Sequence, residues 1–458
     1  MTHLTDRLWE TVSIPCLTAN RSRREALHTA KKKGHSMKTG NFWSYTIGAA
    51  SLAALLILSG CTGRDAAGTT PSPAAEADRS PAAESVGTAP QSPAAAPETE
   101  SPDPVEELMA AMSLEEKIGQ LFIIRPESVC EELTPQQAHE TDEYGVTAWT
   151  GAMTEKLERY PAGGFALFGK NISDPDQLSA FIAAMEQASP LPPLIGVDEE
   201  GGVVSRLANN PNFQLPQYES MAAIGSGGDT DAARALGLTI GGYLREYGFN
   251  LDFAPVADVN SNPENIVIGE RSFGSDPYLV SQMVGAELEG LHEAGILGCI
   301  KHFPGHGDTA GDTHEGYVSI SKTWEELKLT ELIPFADNLA AADMVMIAHI
   351  SLPNVTSDGL PASLSEELVS GRLRGELGYE GVIISDSLAM SAITQNFSSG
   401  EAALLALNAG VDILLMPEDY TAAFEALIQA VEDGRLSTER IDESLRRVLE
   451  LKLSCGLL

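Results

Sequence analysis

The chain of 458 residues is 43% hydrophobic and 21% charged, enough apolar content to bury a core over most of its length and too much for a broadly disordered protein. Asp and Glu number 65 against 29 Lys and Arg, a formal charge of −36, and beyond residue 60 the balance is 62 acidic to 21 basic. Such a surface repels phosphate-rich polymers and excludes a nucleic-acid partner, while five scattered cysteines with no CxxC pair exclude a disulfide framework.

In chain order, the first element is an uncharged stretch at 39–60 that follows Lys38 and holds an apolar run of 12 residues at 47–58. That is the length of a signal-peptide core and short of the roughly 20 residues a membrane-spanning helix needs. The run ends in Leu58-Ser59-Gly60-Cys61, which resembles a bacterial lipobox. Small residues there admit the signal peptidase, and the Cys61 thiol takes the lipid. The expectation is a signal peptide at 37–60, a lipidated Cys61, and an extracytoplasmic chain anchored to the membrane. Met37-Lys38 opens such a peptide conventionally, so residues 1–36 read as a start-site artefact. Residues 62–104 hold eight Pro and eleven Ala with no aromatic, so no core can form. Segment 61–104 reads as a tether reaching on the order of 35 Å as a flexible coil. The folded part is 105–458, with no second break in composition.

Short β-rich apolar runs recur through that part at 120–124, 164–168, 194–198, 250–254, 297–302, 344–349, 382–386 and 412–416. Amphipathic helical stretches lie between them, among them 175–188, 232–247 and 324–341. Continuous apolar strands alternating with helices indicate a parallel sheet covered by helices. Eight such units predict a single (β/α)8 TIM-type barrel. The alternative, an open doubly wound sheet, lacks its Gly-rich dinucleotide fingerprint after the first strand. Asp198, His302, His349 and Asp386 each fall at the end of an expected strand, which in a barrel is the catalytic face. Any one alone reads equally well as a helix cap; four converging on one axis do not.

The segment with the most chemistry is KHFPGHGDTAGDTH at 301–314. Its glycines let backbone approach a ligand closely. Asp312 and His314 stand two apart, so in extended backbone they share a side. A carboxylate on one imidazole nitrogen fixes the tautomer and leaves the other nitrogen to exchange a proton with substrate. Asp386 ends the seventh strand and could act on the same axis as a nucleophile. His302, His306, Asp308, Asp312 and His314 could also be drafted as metal ligands. The His-x-His of metal-dependent barrel hydrolases has no counterpart at 120–125, however, and the expectation is that neither metal nor cofactor is used.

At these residues the sequence resembles glycoside hydrolase family 3, in its bacterial β-N-acetylglucosaminidase branch. The likeness runs from 112–121 through Asp198-Glu199-Glu200-Gly201-Gly202, Gly269-Glu270-Arg271-Ser272-Phe273-Gly274 and the 301–314 loop to 409–417 and the closing helix at 441–453. The resemblance implies Asp386 as nucleophile and His314, paired with Asp312, as acid/base. It also implies Asp198, Arg206, Arg271, Lys301 and His302 as the residues that hold the sugar. Imidazole suits the acid/base role, since its ordinary pKa near 6.5 lets it donate and then accept a proton at neutral pH.

The sequence departs from the family pattern in three ways. Glu199 stands where Gln is more frequent and Val203 where Arg is, which is expected to add negative charge near the pocket. Ser387 stands where an acidic residue is common. The chain stops at Leu458, so the second domain of many members is expected to be absent; with the Asp-x-His pair, this favours the N-acetylglucosaminidase branch over β-glucosidases. The substrate implied is a terminal β-linked N-acetylglucosamine on peptidoglycan fragments or chito-oligosaccharides. Phosphorolysis at the same site is one alternative, which the acidic chain disfavours. A sugar-binding lipoprotein without catalysis is another, but binding alone needs none of the proton chemistry of Asp312, His314 and Asp386.

Overall fold

Parallel strands that are apolar on both faces need cover on both sides, and here eight of them obtain it by closing on themselves. The computed structural model describes residues 103–139, 144–309, 311 and 318–458. The expected signal peptide, Cys61 and the tether up to residue 102 lie outside the described residues, while Asp103 and Pro104, at its expected end, cap and begin the helix Pro104–Ala111. The barrel strands are β1 (Phe122–Ile124), β2 (Gly164–Leu167), β3 (Leu194–Val197), β4 (Leu251–Asp252), β5 (Leu297–Phe303), β6 (Met344–Ile347), β7 (Val382–Ser385) and β8 (Leu414–Leu415). All eight coincide with the expected segments, and only β5 runs beyond its segment, by Phe303.

Hydrogen-bonded neighbours run β7-β6-β5-β4-β3-β2-β1-β8, and every pairing is parallel. A parallel bridge between Ile384 and Ile413 joins the two ends, where the Ser385 N–H donates to the Ile413 carbonyl at 3.0 Å. The (β/α)8 barrel is therefore present as expected.

Helix ends follow local chemistry. The helix α1 (Pro175–Ala188) starts at Asp174, whose side chain accepts from the Gln177 N–H, with Pro175 in the first turn where its missing donor costs nothing. The helices α2 (Thr230–Tyr247) and α3 (Pro277–Ala294) cross at glycines. A Cβ at Gly237 would lie 2.2 Å from the Glu287 carbonyl oxygen, and one at Gly290 2.2 Å from that of Arg234. Only glycine allows that approach. The expected helix at 324–341 is instead two short ones, Trp324–Leu327 and Ile333–Asn338, because Pro334 fits a first turn but not a helix interior.

The closing helix α4 (Thr438–Ser454) lies against the starting ends of the strands. Its buried Lys452 ammonium donates to Gln120 Oε1 at 2.7 Å and to the Gly163 carbonyl at 2.9 Å. Ser444 donates to Asp412 Oδ1 at 2.7 Å. No helix among the described residues is long and apolar enough to cross a membrane.

Candidate active site

Neighbouring side chains on a regular strand point to opposite faces, yet Lys301 and His302 both line one cavity. The register of β5 against β6 shifts between Ile300 and Phe303, and that irregularity re-aims the pair. The cavity, of about 690 Å³, opens at the C-terminal ends of the strands. Asp198, Arg206, Arg271, Lys301, His302 and Asp386 all line it.

A chain of ion pairs runs along one wall. The Lys301 ammonium lies 2.7 Å from Asp198 Oδ1 and 2.6 Å from Glu200 Oε1. Arg271 grips Glu200 with two parallel bonds, Nε to Oε2 at 2.8 Å and Nη2 to Oε1 at 2.7 Å. Burial pushes both carboxyls up, but the facing cations outweigh it: Arg271 and Lys301 hold Glu200 far below the usual carboxylate range, and Lys301 and Arg206 hold Asp198 below it. Burial opposes the charge on Lys301 as well, and Asp198 and Glu200 overcome it. Arg206 stands further off, its Nη2 3.6 Å from Asp198 Oδ2.

Glu200 was not among the expected site residues, and its neighbour Glu199 corrects the expectation of added pocket charge. Glu199 is buried away from the cavity and accepts from the backbone N–H groups of Arg206, Leu207 and Ala208 at 2.5, 2.9 and 2.8 Å, and from the Tyr243 hydroxyl at 2.9 Å. It anchors the loop that carries Arg206. Val203 projects into solvent from the turn of the small hairpin between Glu199–Gly201 and Val204–Ser205.

Asp258 was also missed. It is fully buried, and its Oδ2 accepts from His302 Nδ1 at 2.6 Å, which fixes that nitrogen as the protonated one. Its Oδ1 receives the His306 backbone N–H at 2.5 Å. Burial raises its pKa, but His302 and His306 hold it below the carboxylate range. Asn265 stitches the same region, donating to the His306 carbonyl at 2.8 Å while accepting from the Val267 and Ile268 N–H groups. The root of the 301–314 loop is thereby fixed. Asp312 and His314 themselves lie outside the described residues.

Asp386 follows β7 directly. Its N–H donates to the Ile347 carbonyl at 2.9 Å, and its Oδ1 accepts from the Ser387 N–H at 2.7 Å. His349 lies behind it and is not a cavity residue: its Nε2 donates to the Ser387 carbonyl at 2.8 Å, so its Nδ1 accepts from the Ser363 hydroxyl at 2.7 Å. Among the described residues no group of three or more His, Cys, Asp or Glu has an arrangement that could hold a metal ion.

A (β/α)8 barrel whose strand ends gather carboxylates, imidazoles and paired cations around one open cavity has the form of a barrel enzyme's active site. The family profile described as Glycosyl hydrolase family 3 N terminal domain matches residues 113–451, and the chain belongs to that family. It is 35% identical over 333 residues to Beta-hexosaminidase A of Pseudoalteromonas piscicida, covering 66% of this chain and 54% of that one. It is 38% identical over 309 residues to Beta-hexosaminidase LpqI of Mycobacterium tuberculosis, covering 65% of this chain and 77% of that one. Among solved structures, the family 3 β-N-acetylglucosaminidase from Paenibacillus sp. str. FPU-7 superposes with a TM-score of 0.68 at 37% identity, covering 76% of this chain and 63% of that one. The chain thus spans between half and two thirds of two of these three relatives.

Proposed function

We propose that the protein is an exo-acting, retaining β-N-acetylglucosaminidase, held outside the cytoplasm by a lipid on Cys61 and removing terminal N-acetylglucosamine from peptidoglycan fragments or chito-oligosaccharides. The observation that carries this reading is the convergence of Asp386 with the Asp198–Lys301–Glu200–Arg271 ion-pair chain on one cavity. The names of the relatives above support the choice of sugar.

In the proposed reaction Asp198, Arg206, Arg271, Lys301 and His302 hold the terminal sugar. The Asp386 carboxylate attacks its anomeric carbon. The bond to the aglycone oxygen breaks, and that oxygen takes a proton from His314, whose tautomer Asp312 sets. His314 then removes a proton from water, the water oxygen attacks the same carbon, and Asp386 is released as a carboxylate. Two displacements at one carbon restore the β configuration.

The test is turnover of a nitrophenyl β-N-acetylglucosaminide followed by proton NMR of the first-formed sugar, with and without inorganic phosphate. The expected product is the β-anomer of free N-acetylglucosamine in both conditions. An initial α-anomer would contradict the double displacement, and a sugar 1-phosphate would identify a phosphorylase.

A further inference from the structure

An uncharged imidazole has one ring proton, and the nitrogen that lacks it offers a lone pair in place of a donor. Which of the two a ligand meets at His302 is decided behind the cavity, by Asp258. That residue is held rigidly against β5: the Ala257 N–H donates to the Lys301 carbonyl at 2.7 Å, and the Ser272 hydroxyl donates to the Asp258 carbonyl at 2.6 Å. Two backbone donors fall on its Oδ1, the His306 N–H at 2.5 Å and the His302 N–H at 3.3 Å. Its Oδ2 is left for His302 Nδ1 at 2.6 Å. Burial raises the Asp258 pKa, but His302 and His306 hold it below the usual carboxylate range, so at neutral pH it can only accept. Nδ1 must therefore donate. Nε2 is the ring nitrogen that remains for a ligand, and His302 lines the cavity.

From this we infer that Asp258 is a positioning residue that sets the direction of one hydrogen bond to the sugar. By holding the proton on Nδ1 it makes His302 an acceptor at Nε2, so the hydroxyl that His302 meets must donate. Lys301 and Arg271 in the same wall can only donate, so neither duplicates this bond. The inference rests on the glycosidase reading, in which His302 holds the terminal sugar. It also predicts what Asp258→Asn does. The amide oxygen must stay on the Oδ1 side, because the two backbone N–H groups there cannot accept. The amide NH2 then faces His302 Nδ1 and can only donate to it. The ring proton moves to Nε2, and the acceptor in the cavity becomes a donor with no change in side-chain shape.

The test is titration calorimetry of the full-length protein with free N-acetylglucosamine and with its deoxy and deoxyfluoro analogues at the 3-, 4- and 6-positions. Fluorine accepts weakly and cannot donate, and equilibrium binding avoids its effect on reactivity at the anomeric carbon. At one of these positions the wild type should bind the hydroxyl roughly three- to ten-fold more tightly than the fluoro analogue, the range for one uncharged hydrogen bond. In Asp258→Asn that preference should vanish at this position alone, and the fluoro analogue should gain on the deoxy one. Unchanged preferences in Asp258→Asn would overturn the inference, as would uniform weakening of every analogue, the mark of a merely structural role. A second measurement needs no change at Asp258: nitrogen-15 NMR of the histidine-labelled wild type, with His302 assigned by its absence in His302→Gln. It should show Nδ1 protonated and Nε2 bare. A proton on Nε2, alone or together with Nδ1, would overturn the inference even if Asp258→Asn failed to fold, and would leave the glycosidase reading intact. Failure of the wild type to bind N-acetylglucosamine or to cleave its nitrophenyl glycoside would overturn the glycosidase reading, and this inference with it.

Discussion

Glu199 and Glu200 are adjacent, both buried, and do different things. Sequence alone could not separate them, because which of two neighbouring carboxylates faces the cavity depends on the hairpin that carries them. Glu200 pairs Lys301 with Arg271, so Glu200→Ala should leave the buried Arg271 without its carboxylate and Lys301 with Asp198 alone, and cost on the order of 3–5 kcal/mol in denaturant unfolding. Its kcat/KM should fall severely even at temperatures where the fold holds; unchanged kinetics would detach the ion-pair chain from sugar binding. Asp198, His302 and Asp386 were legible because strand ends in a barrel converge, although the same reasoning also picked His349, which lies off the cavity, and Arg271 and Lys301 came only from the family resemblance. Asp258 was not, since its role depends on a contact across 44 positions of sequence to His302. His314 carries a separate prediction. His314→Ala should be damaged far less with a nitrophenolate leaving group than with a disaccharide, since a good leaving group needs little protonation. Added azide should rescue its second step. Equal slowing with every leaving group and no azide effect would remove His314 from the acid/base role.

At the scale of elements, the eight strands were readable because parallel strands buried on both faces are short continuous apolar runs. Helix α1 was readable for its Asp-Pro start. The break at Pro334 was also in the sequence, although the amphipathic pattern around it masks the stop. What periodicity could not show is how α4 seals the strand starts with Lys452. That ammonium is buried against two uncharged acceptors, and burial lowers its pKa to about 7. Between that value and the ordinary lysine value, the unfolded chain binds a proton that the folded chain does not. Stability should therefore rise with pH across that window, by about 1.4 kcal/mol per unit at most, relative to Lys452→Met. Urea unfolding of both proteins from pH 7 to 9 checks this. Parallel curves would place the ammonium in a wetter or better-paired site than the structure gives it.

For the whole molecule, the proposal joins a lipid anchor, a tether and a barrel. Cys61→Ala should release the protein from the membrane fraction and abolish metabolic lipid labelling, with glycosidase activity retained by the soluble form. Unchanged membrane retention would remove Cys61 from the account. All of this depends on Asp386 acting as a nucleophile at the end of β7. The most direct measurement is to trap it: incubation with a 5-fluoro-N-acetylglucosaminyl fluoride, which forms the glycosyl-enzyme quickly and hydrolyses it slowly, followed by peptide mass spectrometry. The account predicts one added sugar, on Asp386, lost in parallel with the recovery of activity. A turning-over enzyme with no adduct, or with the sugar on another residue, would contradict it.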